Sequence, residues 1–159
     1  AGERPEPEAI ARLPYLDAVV LETLRLHPIV PDGPRTLARP LELCGYTLPP
    51  GTCVAVAHAL LHSDPAIYPE PARFKPERFL ERKYGPFEFT PFGGGHRRCL
   101  GAAFATYEAK IVLATLLRNF RLELAEPGEV KPGRRNVVLG PSTGTRVRFV
   151  GPRKAGDPA

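Results

Sequence analysis

The fold is decided by the stretch Phe92-Gly93-Gly94-Gly95-His96-Arg97-Arg98-Cys99-Leu100-Gly101. Three successive glycines lead to a cysteine, and the run 102–119 that follows is rich in Ala, Leu and Glu, which predicts a long helix. A cysteine near a helix N-terminus is stabilised as a thiolate, because the N–H groups at that end favour a negative charge. The stretch therefore predicts a sulfur that binds a metal or reacts.

The residues around this cysteine suit a flat, anionic ligand. Glycines at 93–95 let the backbone lie close against a planar group, and Gly101 removes a side chain where the next helix crosses that group. Arg97 offers a fixed positive charge to a carboxylate of the ligand. A phosphate-binding loop is excluded, since the stretch lacks Gly-Lys-Ser/Thr and does not fit G-x-G-x-x-G.

Composition permits one folded domain. The 159 residues are 43% hydrophobic, and the 20 Pro and 15 Gly are interleaved with apolar runs instead of forming a low-complexity tract. The net charge of +5 is scattered, without a cationic stripe or interleaved aromatics, so we expect no nucleic-acid partner. An acidic protein partner or an anionic cofactor accounts for the charge equally well.

Cysteine usage and hydropathy predict a soluble, cytoplasmic protein. Three cysteines at irregular spacing, with no signal peptide, do not form a disulfide framework. No apolar run approaches the roughly 18–20 residues that span a bilayer. Because Met is absent, we expect residue 1 to lie within a longer protein, which leaves open an N-terminal membrane anchor ahead of it.

Local patterns predict short elements joined by ordered loops. Apolar residues at helical spacing after Pro14 predict a helix over 14–27, which Pro28 ends. Residues 63–91, rich in Pro, aromatics and charge, predict a long functional loop with one short helix near 64–68. The remaining predictions are a linker at 1–8, a hairpin of strands 42–47 and 53–57 around Pro49-Pro50-Gly51, and one small sheet of strands 121–124, 137–139 and 146–150.

Three motifs in series resemble those of the cytochrome P-450 family. Phe92-x-x-Gly95-x-Arg97-x-Cys99-x-Gly101 is similar to the family's haem-thiolate signature, Glu22-Thr23-Leu24-Arg25 to its E-x-x-R helix and Pro76-Glu77-Arg78-Phe79 to its P-E-R-F motif. The resemblance covers residues 13–150. It implies a mainly α fold with small β-sheets, in which residues 1–159 form the proximal, C-terminal portion of a P-450 domain whose N-terminal part is missing.

The resemblance also implies a cofactor and its site. The cofactor is heme (iron protoporphyrin IX), with the Cys99 thiolate as axial ligand and metal-binding residue. Arg35 and Arg97 are similar to arginines that bind the haem propionates, and Phe92 to the aromatic beside the sulfur. The predicted cofactor-binding residues are Arg35, Phe92, Gly93, Arg97, Cys99, Leu100 and Gly101. Ile29, Val30, Ser142 and Thr143 lie in two segments that resemble substrate-lining ones.

Glu22, Arg25 and Arg78 match a triad that the family forms between its E-x-x-R and P-E-R-F motifs. One carboxylate between two arginines makes charge-assisted hydrogen bonds that can pin a long loop to a helix. We therefore predict a structural triad that holds the loop delivering Cys99, with no catalytic role.

The implied activity is that of a monooxygenase. Two electrons and O2 are used to insert one oxygen atom into an apolar organic substrate, and an anionic sulfur ligand promotes O–O cleavage.

We expect a ferredoxin or a flavoprotein reductase to deliver electrons on the Cys99 face, with Arg98 as a candidate contact. The family's oxygen-binding helix precedes the E-x-x-R helix, so no catalytic residue is assigned in this chain, and the chain alone is predicted to be inactive. The substrate, and whether the parent is a hydroxylase, isomerase or peroxygenase, stay open.

Other interpretations remain open at this stage. A haem sensor or an inactive relative would share the same motifs. A zinc site of Cys44, Cys53, His58 and His62 would need the intervals C-x8-C-x4-H-x3-H, which fit no familiar ligand set. A nucleic-acid-binding module would rest only on the basic pI of about 9.4.

Overall fold

A computed structural model of the chain describes residues 6–125, 128 and 130–153, in which helices alternate with two-stranded antiparallel sheets. The predicted mainly α fold with small β-sheets is confirmed. The elements in chain order are α1 (Pro7–Ala11), α2 (Pro14–Leu26), β1 (Gly33–Thr36), β2 (Leu41–Leu43), β3 (Tyr46–Leu48), β4 (Cys53–Val56), α3 (His58–Leu61), α4 (Arg78–Glu81), a 3-10 turn (Gly95–Arg97), α5 (Ala102–Asn119), β5 (Phe120–Leu124), β6 (Pro132–Arg135), β7 (Val138–Pro141) and β8 (Val147–Pro152).

Prolines begin the first two helices. Pro14 starts α2, and the amide of His27 closes it by donating to the Thr23 carbonyl at 2.8 Å, one residue short of the predicted end. Helix α1 begins at Pro7, so the linker predicted over 1–8 is wrong at its end, because Pro is well suited to the first helical turn. Residues 1–5 of that linker lie outside the described residues.

The hairpin predicted from strands 42–47 and 53–57 is wrong. Strands β2 and β3 pair with each other across Cys44 and Gly45, whose φ angles are 51° and 82°. A two-residue turn with both φ angles positive matches the twist of the strands it joins, so the chain reverses inside the predicted strand. Strand β4 pairs instead with β1, with Arg35 opposite Val54.

The short helix predicted near 64–68 is also wrong. Its residues make one turn, in which the Tyr68 amide donates to the Asp64 carbonyl at 2.8 Å. Pro69 has no N–H with which to continue the turn. The short helices of this region are α3 and α4, which lie on either side of that turn.

The C-terminal part contains two separate ladders where one small sheet was predicted. Helix α5 has the predicted bounds, and β5 after it pairs with β8. Strands β6 and β7 form their own hairpin, which turns at Asn136 with a φ of 57°. Strand β6 was not predicted because Pro132-Gly133-Arg134-Arg135 has no strand-like composition.

The helices meet around a core that is largely polar. Helix α2 packs against α4 and α5, and the Lys110 ammonium of α5 binds the Asp17 carboxylate at 2.7 Å and the Ala11 carbonyl at 3.0 Å. No helix within the described ranges is long and apolar enough to cross a lipid bilayer. The buried apolar residues are Ile10, Ala18, Val20, Tyr68 and Ala102, and the buried polar ones are Glu22, Arg25, His58, His62, Arg78 and Thr90.

Candidate functional site

The Cys99 loop, residues 91–101, lies between two buried residues. Thr90 precedes it and Ala102, the first residue of α5, follows it, whereas residues 94–101 are all exposed. The Cys99 amide donates to the Phe92 carbonyl at 2.9 Å, which closes the loop. The loop therefore displays its cysteine on the surface while its ends are fixed.

Glycines shape this loop. Gly93 and Gly95 have φ angles of 70° and 63°, where L side chains are strained, and a methyl group at either would meet nothing within 4 Å. A methyl group at Gly101 would stand 3.9 Å from the Cys99 sulfur. Gly93 and Gly95 thus leave open space along the loop, and Gly101 leaves it beside the thiol, which suits the approach of a flat group.

Cys99 itself is exposed and lies three residues ahead of the first residue of α5. Leu100 is fully exposed, with 103% relative accessibility, and Phe92 is half-buried. Leu100 therefore adds apolar surface next in sequence to the exposed thiol.

The two arginines predicted to bind propionates lie on different elements. Arg97 ends the 3-10 turn, two residues before Cys99, and is exposed. Arg35 lies on β1, is exposed, and donates from Nη1 to the Pro34 carbonyl at 2.6 Å. Both guanidinium groups are accessible to an anionic ligand.

Each of the two predicted substrate-lining segments is tied by a backbone hydrogen bond to the β6–β7 region. The Leu139 amide of β7 donates to the Ile29 carbonyl at 2.6 Å, and the Ser142 amide donates to the Lys131 carbonyl at 2.9 Å. Ile29 and Val30 have 52% and 38% of their surface exposed, and Ser142 and Thr143 are exposed as well. The side chains of both segments are therefore accessible to a ligand.

The structure brings Glu22, Arg25 and Arg78 together. Arg25 grips the Glu22 carboxylate with two hydrogen bonds, from Nε at 2.7 Å and from Nη2 at 2.9 Å, and Arg78 adds one from Nε at 3.1 Å. The backbone amide of Lys75 also donates to Glu22 at 2.9 Å. All three side chains are buried, with at most 4% exposed.

The Glu22 carboxylate is ionised. Burial alone would raise its pKa, but hydrogen bonds from Arg25 and the Lys75 amide and the charges of Arg25 and Arg78 outweigh burial, so the pKa lies below its ordinary value. The remaining N–H groups of both arginines bind main-chain carbonyls, which include those of His62, Pro69 and Arg73. The triad thus holds the long loop by its backbone.

Sequence reasoning missed the residues that connect this triad to the Cys99 loop. The Arg25 guanidinium donates to the His62 carbonyl at 2.7 Å, and the His62 ring accepts a hydrogen bond at Nε2 from the Thr90 amide at 3.0 Å. His58 Nδ1 lies 2.8 Å from the Thr90 hydroxyl. The spacing of His58 and His62, four residues apart, places both on one helix face and was the available signal.

His62 is neutral near pH 7. Burial is the main cause that lowers its pKa from 6.5 to about 4, and the nearby His58 ring contributes to this shift. The Thr90 amide can only donate, so Nε2 must accept and the ring proton resides on Nδ1. Stacking on Phe89, with ring centroids 5.5 Å apart, keeps the ring dry.

The zinc alternative finds no support in this arrangement. Cys44 is exposed in the β2–β3 turn and Cys53 is exposed on β4, whereas His58 and His62 are buried against Thr90. Across residues 6–125, 128 and 130–153, no cluster of three or more His, Cys, Asp and Glu side chains could hold a metal ion.

Comparison with known proteins gives a consistent result. The family model described as Cytochrome P-450 matches residues 1–148. A putative cytochrome P-450 135B1 of Mycobacterium tuberculosis is 42% identical over 134 residues, which cover 84% of this chain and 28% of the relative. The mitochondrial sterol 26-hydroxylase of Mus musculus is 37% identical over 158 residues, which cover 94% of this chain and 30% of that enzyme.

Solved structures agree with the sequence relatives. Cyanobacterial CYP120A1 with bound retinoic acid superimposes with a TM-score of 0.83 at 34% identity, over 93% of this chain and 35% of that one. The cytochrome P-450 CYP102L1 gives a TM-score of 0.79 at 35% identity, over 92% and 33%. The chain therefore spans about a third of the length of these proteins.

Arg78→Ala should destabilise the protein by about 3–5 kcal/mol and lower its yield of folded material. The change leaves the buried Glu22 carboxylate with one cationic partner and frees the carbonyls that Arg78 binds. Urea unfolding followed by circular dichroism measures the loss. Arg73→Ala is the matched control, since the exposed Arg73–Glu70 pair should contribute no more than about 1 kcal/mol. Equal effects of the two changes would contradict a supporting role for the triad.

Stability should fall by about 2 kcal/mol when the pH is lowered from about 7 to about 5. His62 has a folded-state pKa of about 4 against 6.5 when unfolded, so the unfolded chain binds more protons between these values and gains stability as the pH falls. Urea titrations at both pH values measure this difference. His62→Gln keeps an acceptor near Nε2 but cannot titrate, so this variant should lose most of the pH dependence of its free energy of unfolding. An unchanged pH dependence would contradict the assignment of the effect to His62.

Proposed function

The chain belongs to the cytochrome P-450 family, whose members are haem monooxygenases, and we propose that it is the haem-ligating portion of such an enzyme. The parent inserts one oxygen atom from O2 into an apolar organic substrate and releases the other as water. The observation that carries this proposal is the exposed Cys99, held in a glycine-shaped loop between buried Thr90 and Ala102.

The residues present fit a haem. Cys99 supplies an accessible sulfur, Gly93 and Gly95 leave room beside it, and exposed Arg97 and Arg35 supply cations for the two propionates. Phe92, Leu100 and Gly101 complete the proximal wall. When bound, the haem iron supplies oxygen activation, which an anionic sulfur ligand favours. The chain's own part is to orient the sulfur and to bind the propionates.

An apolar substrate is supported by the lining and by the relatives. Ile29 and Val30 present exposed apolar side chains, and Ser142 and Thr143 are exposed as well. One relative is named for hydroxylating a sterol, and one similar structure holds retinoic acid; both compounds are apolar. We assign the substrate to this chemical class and to no particular compound.

Exposed apolar side chains on and beside α5 support the idea that the chain supplies only one side of the haem site. Helix α5 exposes Phe104, Val112 and Leu117, by 67%, 49% and 54%, and Leu100 is bare at its start. Surfaces of this kind are covered in functional proteins or else aggregate. We propose that a further part of the P-450 domain covers this surface, supplies the catalytic acid and completes the haem pocket.

Cys99→Ser should abolish the strongly red-shifted Soret band that a ferrous carbon-monoxide complex with thiolate ligation gives in the haem-loaded parent protein. Serine cannot supply a thiolate, whereas Cys53→Ser, at an exposed cysteine on β4, should keep the band. The measurement is the reduced carbon-monoxide difference spectrum. A red-shifted band that persists in Cys99→Ser, or that disappears in Cys53→Ser, would contradict the ligand assignment.

The same reconstitution applied to residues 1–159 alone tests the incompleteness of the site. With one face of the haem uncovered, we expect weak haem retention and no sustained oxygenation with a surrogate oxidant. A stable thiolate spectrum with turnover would show that these residues suffice.

Arg98→Glu should slow reduction by an acidic ferredoxin or flavoprotein reductase about tenfold at low salt, because charge reversal beside the ligand weakens electrostatic steering. The effect should fade as salt screens the encounter. Stopped-flow reduction at several salt concentrations measures it. Arg39→Glu makes the same charge change in the β1–β2 turn. An equal loss in both variants would indicate net charge alone, and no loss in Arg98→Glu would remove this residue from the partner interface.

A further inference from the structure

Thr90 is the buried residue that directly precedes the Cys99 loop. It is the last buried residue before the loop, with 6% of its surface exposed, and the next buried residue is Ala102. Residues 94–101 are all exposed, and Gly93 and Gly95 have positive φ angles, so the loop has little packing of its own. Its geometry depends on how firmly its two ends are held.

Each polar group of Thr90 has a partner. The hydroxyl lies 2.8 Å from His58 Nδ1, the amide donates to His62 Nε2 at 3.0 Å, and the carbonyl accepts from the Gly93 amide at 3.0 Å. Two histidine rings therefore hold the side chain and the backbone of one residue. The third bond passes the constraint into the glycine turn that begins the loop.

The two histidines belong to different parts of the support. His58 is the first residue of α3 and follows β4, which pairs with the strand that carries Arg35. His62 directly follows α3 as its C-terminal cap, and its carbonyl accepts from the Arg25 guanidinium. Thr90 is thus tied through His58 to the Arg35 strand, and through His62 to the Glu22–Arg25 pair.

The surroundings leave the two rings little freedom. A methyl group at Gly33 would stand 3.0 Å from His58 Nε2, so β1 lies directly against that ring. His62 stacks on Phe89 at 5.5 Å and meets the edge of Tyr68 at 6.2 Å. The Tyr68 hydroxyl donates to the Glu88 carbonyl at 2.8 Å, which fixes the backbone just before Thr90.

We propose that His58 and His62 act together on Thr90 as positioning residues for the Cys99 sulfur, and we call His58, Thr90 and His62 the histidine clamp. The clamp sets the direction in which the loop leaves the buried core. It also couples the loop to the strand of Arg35, so that the sulfur and this propionate-binding cation keep fixed relative positions. This inference rests on the proposed haem site. None of the three residues touches the sulfur.

The test uses paired substitutions in the haem-loaded parent protein. His58→Phe and Thr90→Val remove the hydrogen bond and keep the size of the side chain, whereas His58→Asn places a polar atom near the position of Nδ1 and Thr90→Ser keeps the hydroxyl. One lost hydrogen bond corresponds to about a tenfold change in an equilibrium. We therefore expect His58→Phe and Thr90→Val to speed conversion of the red-shifted carbon-monoxide complex to a non-thiolate form about tenfold.

The conservative variants distinguish the loss of this hydrogen bond from a general loss of stability. His58→Asn and Thr90→Ser should stay within about twofold of the unsubstituted protein, and the double variant His58→Phe/Thr90→Val should convert no faster than either single one, because both remove the same bond. Equal conversion rates in the Phe and Asn variants, or additive effects in the double variant, would overturn the clamp.

A haem-free measurement separates this inference from the proposed function. The Cys99 amide binds the Phe92 carbonyl inside the loop, so hydrogen–deuterium exchange of the peptide containing 92–99 reports on loop order without the cofactor. Exchange about tenfold faster in His58→Phe, and unchanged in His58→Asn, supports the clamp even if no thiolate spectrum forms, a result that would contradict only the haem proposal. Unchanged exchange in His58→Phe contradicts the clamp.

Discussion

The rest of the structure depends on one buried carboxylate. Glu22 is wholly inaccessible and accepts hydrogen bonds from two guanidinium groups and one backbone amide. Two arginines against one glutamate leave a positive charge in excess, which burial alone would make costly. Main-chain carbonyls and the Tyr68 ring, 5.1 Å from the Arg25 guanidinium carbon, offset that excess. The backbone that carries those carbonyls is therefore held in place, because each carbonyl accepts a hydrogen bond from a buried arginine.

This arrangement explains how a loop with little regular structure can be stiff. Residues 62–91 contain only α4, yet their aromatic side chains form a continuous cluster behind the triad. Phe79 lies between Tyr84 and Phe89, with centroids 5.1 and 5.0 Å away, and Tyr84 stacks on Tyr68 at 4.7 Å. Aromatic pairs contribute roughly 0.5–1.5 kcal/mol each beyond their burial. The cations fix the backbone of the loop and the rings fill its interior.

The sequence was sufficient for local features and insufficient for distant pairings. Helix α5 has its predicted bounds because Gly101 precedes a run of strong helix formers, and both signals are local. The β2–β3 turn was hidden in a short strand-like run, since Cys44 carries no turn signal comparable to Asn or Asp before Gly45. Strand β1 was missed because Gly33-Pro34-Arg35-Thr36 becomes a strand only through its pairing with β4.

The candidate site shows the same division. Cys99, Glu22 and Arg78 were recognisable because a motif fixes their local spacing, whereas Thr90 meets its histidine partners across 28 and 32 positions of sequence. A threonine in an aromatic segment carries no sign that its amide and its hydroxyl are both held. Its importance follows from burial. A buried polar group that loses its hydrogen-bond partner stays unsatisfied, which costs free energy, whereas an exposed group bonds to water instead. The Cys99 loop is therefore supported by residues outside its sequence motif, whose contacts with one another exist only in the folded chain.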